Sequence, residues 1–214
     1  MEQTIRIERM GYGSEAVGRL DDGKAVFVEQ AAPGDVVAVE VVEDKPTFAR
    51  ARVVRIEEES PLRARPFCEV GGVCGGCPWQ HLSYEAQLSA KRENVVAALT
   101  RTAHFDAARA DELVGDCLPS KRQVGYRNKL ELAASTAADG SLALGFAREG
   151  SHEPVVPASC PVAVSLIQKA PKALRGALRF LSGSQDLGIF RVGVRGSVRT
   201  KDVEIALWTV PGAF

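Results

Sequence analysis

The chain has 214 residues, 25% of them charged and 45% hydrophobic, with a formal net charge of zero. That is the composition of a globular protein long enough to bury its own core. No apolar run approaches the ~20 residues of a membrane span, and Met1-Glu2-Gln3-Thr4-Ile5-Arg6 lacks the apolar core of a signal peptide, so membrane and secreted classes are set aside and a cytoplasmic protein is expected.

Residues 1–59 read as short strands. Ile5 and Ile7 alternate with Arg6 and Glu8. Three further runs follow at 25–28, 36–42 and 51–56, separated by turn signals at Gly11-Tyr12-Gly13, Asp21-Asp22-Gly23, Pro33-Gly34-Asp35 and Asp44-Lys45-Pro46. Short strands at this spacing suggest a small OB-like β-barrel, a frequent nucleic-acid-binding frame. Phe27 alternates with the barrel pattern and is expected in its core. Residues 60–67, with proline at 61 and 66, read as a linker.

Ser83 is placed as a helix N-cap, with Glu85 in the first turn. Leu88, Val95 and Leu99 give an amphipathic helix over 84–100, a stripe that Tyr84 can extend. Leu130–Ala134 and Leu142–Ala147 flank an Asp139-Gly140 turn, a hairpin signal. Pro171 starts a further helix whose apolar face is Leu174, Ala177, Leu178 and Leu181. Two alternating runs, Phe190/Val192/Val194 and Val203/Ile205/Leu207, suggest a strand pair joined near Gly196.

The charge is unevenly divided. Residues 1–60 hold 8 Lys+Arg against 13 Asp+Glu, and residues 61–214 hold 19 against 14. A basic second part can serve an anionic partner such as nucleic acid. Candidate phosphate contacts are Arg19 and Lys24 on the barrel, then Lys121, Arg122, Arg127, Lys129 and Arg148. Tyr126 is placed to stack on an unpaired base.

Five cysteines without an export signal argue against a disulfide framework. Cys68, Cys74 and Cys77 form C-x5-C-x2-C among Gly71, Gly72, Gly75 and Gly76. Thiolates are soft ligands suited to zinc or iron–sulfur iron. Small glycines let the backbone wrap tightly and turn its N–H groups toward an anionic centre. The spacing favours zinc slightly and does not fit the C-x3-C-x2-C of radical S-adenosylmethionine enzymes. Cys160, Cys117 and His81 are the candidates for a fourth ligand.

The order of these motifs resembles the RNA 5-methyluridine methyltransferase family, which uses S-adenosylmethionine to methylate uracil C5 in rRNA or tRNA. The likeness lies in Gly11-Tyr12-Gly13, Gly18-Arg19, Gly23 to Val28 and Pro33-Gly34-Asp35, which resemble that family's TRAM domain. It continues through Ser60 to Pro66, through Cys68, Cys74-Gly75-Gly76-Cys77 and Gln80-His81-Leu82, then Tyr84, Gln87-Leu88, Lys91, Tyr126-Arg127-Asn128-Lys129 and Cys160.

The resemblance implies a four-iron–four-sulfur (4Fe-4S) cluster on Cys68, Cys74, Cys77 and Cys160. It leaves Cys117 a spare thiol and His81 a structural neighbour. It implies an α+β protein: a TRAM barrel over 1–59, a linker over 60–67, and a mixed α/β iron–sulfur domain over 68–214. RNA is the expected partner, without membrane or DNA, and the chain is expected to be a monomer.

In that family a cysteine thiolate adds to uracil C6 and a carboxylate removes the C5 proton, both from a C-terminal Rossmann-like methyltransferase domain. Residues 161–214 do not supply the βαβ series such a domain needs. Gly11-Tyr12-Gly13-Ser14-Glu15-Ala16 matches G-x-G-x-x-A but opens no helix. The expectation is therefore that the methyltransferase domain is absent, that helix 84–100 packs on it in the intact protein, and that this chain is a truncated form, inactive alone. The alternative is a stand-alone, non-enzymatic RNA-binding metalloprotein.

Overall fold

The computed structural model describes residues 2–137, 140–183 and 187–212. They form two compact units, one of residues 1–65 and 78–119 and the other of residues 66–77 and 120–214. This division corrects the expected boundaries at 59 and 67. Residues 60–65 and the segment after Pro78 stay with the barrel.

In the first unit, β1 (Glu2–Met10), β2 (Ala16–Arg19), β3 (Ala25–Val28), β4 (Val36–Asp44) and β5 (Phe48–Glu58) close a barrel in the order β1-β2-β3-β5-β4. All neighbours are antiparallel except the parallel pair β3 and β5. Period-two alternation sends Ile5 and Ile7, Val26 and Val28, Val37 and Val39, and Ala49 and Ala51 inward. Phe27 lies between two inward valines and so points the other way. It is half-buried and meets Phe48 edge-on at 5.8 Å, which corrects its expected core position. Register shifts between Ile7 and Arg9, and at three places between β4 and β5, bend the strands enough to close so small a barrel.

The stretch read as a linker is a built strap. Asp35 is fully buried and accepts the N–H groups of Ala32 at 2.6 Å and Ser60 at 2.9 Å. The Arg63 guanidinium grips the same carboxylate through Nη2 at 2.7 Å and Nε at 3.0 Å, and also donates to the Gln30 carbonyl. Ser60 Oγ donates to the Pro33 carbonyl at 2.6 Å. Burial pushes the Asp35 carboxyl up, but Arg63 and the two backbone N–H groups outweigh it and hold it below the usual carboxylate range.

The strap leads to α1 (Tyr84–Arg101), whose N-cap Ser83 accepts the Ala86 N–H as expected. Its packed face is not the expected one. Ala86 and Ala90 enter the barrel's core cluster beside Leu82, while Val95 is 50% exposed. Small side chains let the helix axis come close to the barrel. Asn94 Nδ2 bonds the Gly11 carbonyl and Trp79 Nε1 the Gly13 carbonyl, which pins the helix there. Within this chain the partner of that alanine face is the barrel. A short α2 (Ala107–Leu113), capped by Asp106, packs on α1 and is tied to it by Arg92 and Asp111.

In the second unit, β6 (Lys129–Thr136), β7 (Leu142–Ala147), β8 (Pro154–Val155), β9 (Ile189–Gly196) and β10 (Val203–Thr209) form one sheet in the order β10-β9-β6-β7-β8. Every pair is antiparallel, so the expected mixed α/β character is replaced by an antiparallel sheet with one helix on its face. The β6–β7 hairpin forms, and Asp139 of its expected turn lies outside the described residues.

That helix, α3 (Ala170–Ser182), has Pro171 in its first turn, lies against β7, and puts Leu174 and Leu178 into the second core. Leu181, expected on this face, is 72% exposed. Leu130, Leu132, Leu144, Val192 and Val194 make the core beneath it. No helix among the described residues is long and apolar enough to cross a membrane.

Candidate functional site

Cys68, Cys74 and Cys77 lie in the 66–77 segment of the second unit, and Cys160 lies in the same unit. The segment folds as successive turns. Gly71 N–H donates to the Cys68 carbonyl, and Val73 and Cys74 N–H donate to the Val70 carbonyl. It is fastened to the end of β7 by Gly75 N–H on the Ala147 carbonyl and Glu149 N–H on the Val73 carbonyl, both at 3.1 Å. Glycine at 75 suits this close approach, since a Cβ there would lie 3.3 Å from the Glu149 backbone, tighter than most Cβ contacts. Glu69 reaches across to accept the Ala158 N–H at 2.5 Å.

Cys160 is buried in the second core, and Cys74 and Cys77 pack against that same cluster. Burial pushes the Cys74 thiol up; the Gly76 N–H, 3.4 Å from its sulfur, acts against this, while Cys77, Cys160 and Cys68 raise it further. Burial likewise pushes the Cys160 thiol up, opposed by the Ala163 and Val162 N–H groups and by Arg127. The four sulfurs therefore share one electrostatic neighbourhood.

The donor set suits a soft metal: four thiols, with peptide N–H groups turned toward at least two of the sulfurs. All five cysteines are thiols rather than disulfides. Among the described residues, no three His, Cys, Asp or Glu side chains stand close enough together to hold a single ion.

The other two candidates for a fourth ligand belong to the first unit. His81 is buried, and its Nε2 bonds the Ala31 carbonyl at 3.0 Å. Burial lowers its pKa, so the ring is held neutral against the barrel. Cys117 is half-buried and belongs to that unit too.

The eight candidate RNA contacts divide by what their side chains already hold. Lys24 is 20% exposed and paired with Asp44 at 2.5 Å. Arg19 donates to the Gly23 carbonyl and pairs with Glu8 at 3.8 Å. Lys129 pairs with Glu131 at 2.6 Å and Arg148 with Glu153 at 2.8 Å. Arg127 Nη2 donates to the Gly76 carbonyl, inside the cysteine segment. Lys121 and Arg122 are exposed on the loop before β6, with no side-chain partner among the described residues, and Tyr126 beside them is 51% exposed.

Sequence reading did not single out the Asp35–Arg63 lock, the Trp79 anchor or α2. The Asp106 N-cap was the available signal for α2.

Comparison with known proteins gives these features a context. Residues 1–54 match the TRAM domain family. A protein of Thermosynechococcus vestitus named as an uncharacterized RNA methyltransferase is 31% identical over 95% of this chain and 45% of its own length. The 23S rRNA (uracil(1939)-C(5))-methyltransferase RlmD of Shewanella amazonensis is 33% identical over 86% of this chain and 40% of its own. The crystal structure of Pyrococcus abyssi tRNA (uracil-54, C5)-methyltransferase in complex with S-adenosyl-L-homocysteine has the same fold over 98% of this chain and 48% of its own, with a TM-score of 0.63 at 24% identity.

The chain spans less than half the length of these proteins. Two expectations are corrected by these matches. Neither the absence of a Rossmann-like methyltransferase domain nor inactivity as a truncated form stands, because relatives aligned with most of the chain are named as methyltransferases. Where this sequence stops sets no limit on the domains or activity of the protein. Residues 1–54 match the TRAM domain, and the chain is similar over most of its length to proteins named as RNA methyltransferases.

Proposed function

We propose that this chain serves S-adenosylmethionine-dependent methylation of uracil C5 in rRNA or tRNA, contributing an RNA-holding surface and a 4Fe-4S site. The observation that carries the reading is the 33% identity, over 86% of the chain, to a 23S rRNA uracil-C5 methyltransferase. The matched TRAM domain supports RNA as the partner.

For the RNA surface we assign Lys121, Arg122 and Tyr126. Among the described residues the two cations have no ion pair to break before meeting a phosphate, and the exposed ring offers a face for an unpaired base. Arg19, Lys24, Lys129 and Arg148 would first have to leave carboxylate or carbonyl partners, so their share in binding is smaller.

For the metal, Cys68, Cys74, Cys77 and Cys160 are the ligands of this reading. A cubane is itself several ångströms across and holds its thiolates farther apart than one tetrahedral zinc. The coupling of Cys74 to Cys68, Cys77 and Cys160 supports one site that takes all four thiols, as a cluster would. A cluster there supplies a cross-link between two distant stretches of chain and no electron to the methylation. The residues' own part is to hold the ligands: backbone turns fix the 68–74 stretch, and Cys160 is buried in the second core, against which Cys74 and Cys77 pack.

Anaerobic purification with iron, zinc and sulfide analysis tests the metal; roughly four irons and four sulfides per chain are expected. Zinc without sulfide would overturn the cluster. Labelled methyl donor with unmodified rRNA or tRNA tests the activity: label recovered in 5-methyluridine is expected from the complete protein, and label in any other nucleoside would overturn the uracil reading.

A further inference from the structure

Arg127 matches a basic-motif expectation for RNA, yet its geometry turns inward. Its backbone is locked to the stretch after Cys160, the N–H donating to the Val162 carbonyl at 2.8 Å and the carbonyl accepting from Val164 N–H at 2.9 Å. A parallel bridge with Ala163 continues this pairing. The guanidinium reaches the other cysteine segment, Nη2 donating to the Gly76 carbonyl at 3.2 Å. The point where a Cβ on residue 76 would sit is 3.5 Å from Arg127 Nη1 and 3.4 Å from Cys74 Sγ. One side chain thus joins both stretches that carry the four cysteines. No carboxylate among the described residues pairs with it.

We propose that Arg127 is a positioning residue of the cysteine site: its guanidinium clamps the Gly76 turn onto the 160–164 segment, and its charge offsets that of the ligating thiolates. This rests on the reading of Cys68, Cys74, Cys77 and Cys160 as cluster ligands. A cluster with four thiolates is anionic, and each added electron makes it more so. A fixed, unpaired cation beside it therefore stabilises the reduced form more than the oxidised one. Losing the clamp frees the Gly76 turn between Cys74 and Cys77, and is expected to leave the cluster easier for oxygen to attack.

The test uses the full chain loaded anaerobically with iron and sulfide, as wild type, Arg127→Gln, Arg127→Lys and, as a control, Arg195→Gln, whose side chain is exposed on the sheet. The readouts are iron and sulfide content, reduction potential by electron paramagnetic resonance titration, and the rate of bleaching in air. Arg127→Gln is expected to lower the reduction equilibrium constant at least tenfold, a shift of about 59 mV to more negative potential for a one-electron couple. It is also expected to bleach several-fold faster. Arg127→Lys restores most of the potential, and the control matches wild type.

Loaded Arg127→Gln with wild-type potential and bleaching overturns the proposal and leaves the cysteine assignment standing. Wild type that takes up no sulfide overturns both. Where Arg127→Gln does not fold, Arg127→Lys decides: a loaded protein near wild-type potential supports the role of the charge, and an unloaded one overturns it.

Discussion

Asp35 shows how much one residue can organise. In the sequence it closes a Pro33-Gly34-Asp35 turn, and nothing local marks it for burial. Its partner Arg63 lies in a stretch whose two prolines read as a linker, so a pairing across 28 positions was not visible there. Arg63 is itself only 18% exposed. Asp35→Asn would leave this guanidinium without its counter-charge, and is expected to destabilise the first unit by about 3–5 kcal/mol in urea unfolding.

The pH dependence has a definite sign. The Asp35 carboxyl titrates lower in the folded chain than in the unfolded one. Its contribution is therefore complete above the unfolded value of ~3.9 and disappears as acid carries it through the folded value. Stability measured from pH 6 downward should fall for wild type over that window. In the Asn variant that part of the slope should be gone. Unchanged stability in the Asn variant would refute the lock.

Among the elements, α1 separates what periodicity tells from what packing decides. The Ser83 cap and the helix itself were legible, because capping chemistry is local. The buried face was not, because the choice went to alanines that allow close approach over larger side chains at 88, 95 and 99. Ala90→Leu is accordingly expected to destabilise by about 1–3 kcal/mol through overpacking. Val95→Ser should stay within about 0.5 kcal/mol; thermal melts of the two variants decide which stripe is the buried one.

The strand β7 carries a similar constraint. A Cβ at Gly145 would meet the Val155 carbonyl oxygen at 2.3 Å, so Gly145→Ala is expected to push β8 away and cost at least about 1–3 kcal/mol. Two-residue β8 left no alternation to read, whereas β9 and β10 showed their pairing plainly.

For the whole molecule, the barrel strands were readable from alternation, but the partition was not. The chain leaves the barrel unit at Arg65, returns at Pro78 and leaves again at Pro119. Sequence reading assumes contiguous segments, and only contacts reveal the return. Residues 1–59 made alone would lack Ser60, Arg63, Leu82, Ala86 and Ala90, exposing Asp35 and part of the barrel core. Such a fragment is expected to melt well below the full chain or to aggregate. An equal melting temperature would show that the strap and helix add nothing.

At this scale too, the doubled variant Lys121→Ala/Arg122→Ala should weaken RNA binding and lower the slope of log affinity against log salt by about 1–2. Filter binding at several salt concentrations measures it, and an unchanged slope would remove these residues from the RNA surface.

The chain has two tryptophans, and the fold deals one to each unit. Trp79 donates its indole N–H to the Gly13 carbonyl in the first unit. Trp208 in the second lies over Gly193 with the Arg191 guanidinium 4.0 Å from its ring centre. A hydrogen-bonded indole and a cation-stacked one differ in emission colour and in quenching. Replacing either with phenylalanine would leave a single tryptophan, able, when excited at a wavelength tyrosine does not absorb, to follow the melting of one half of the molecule by light alone.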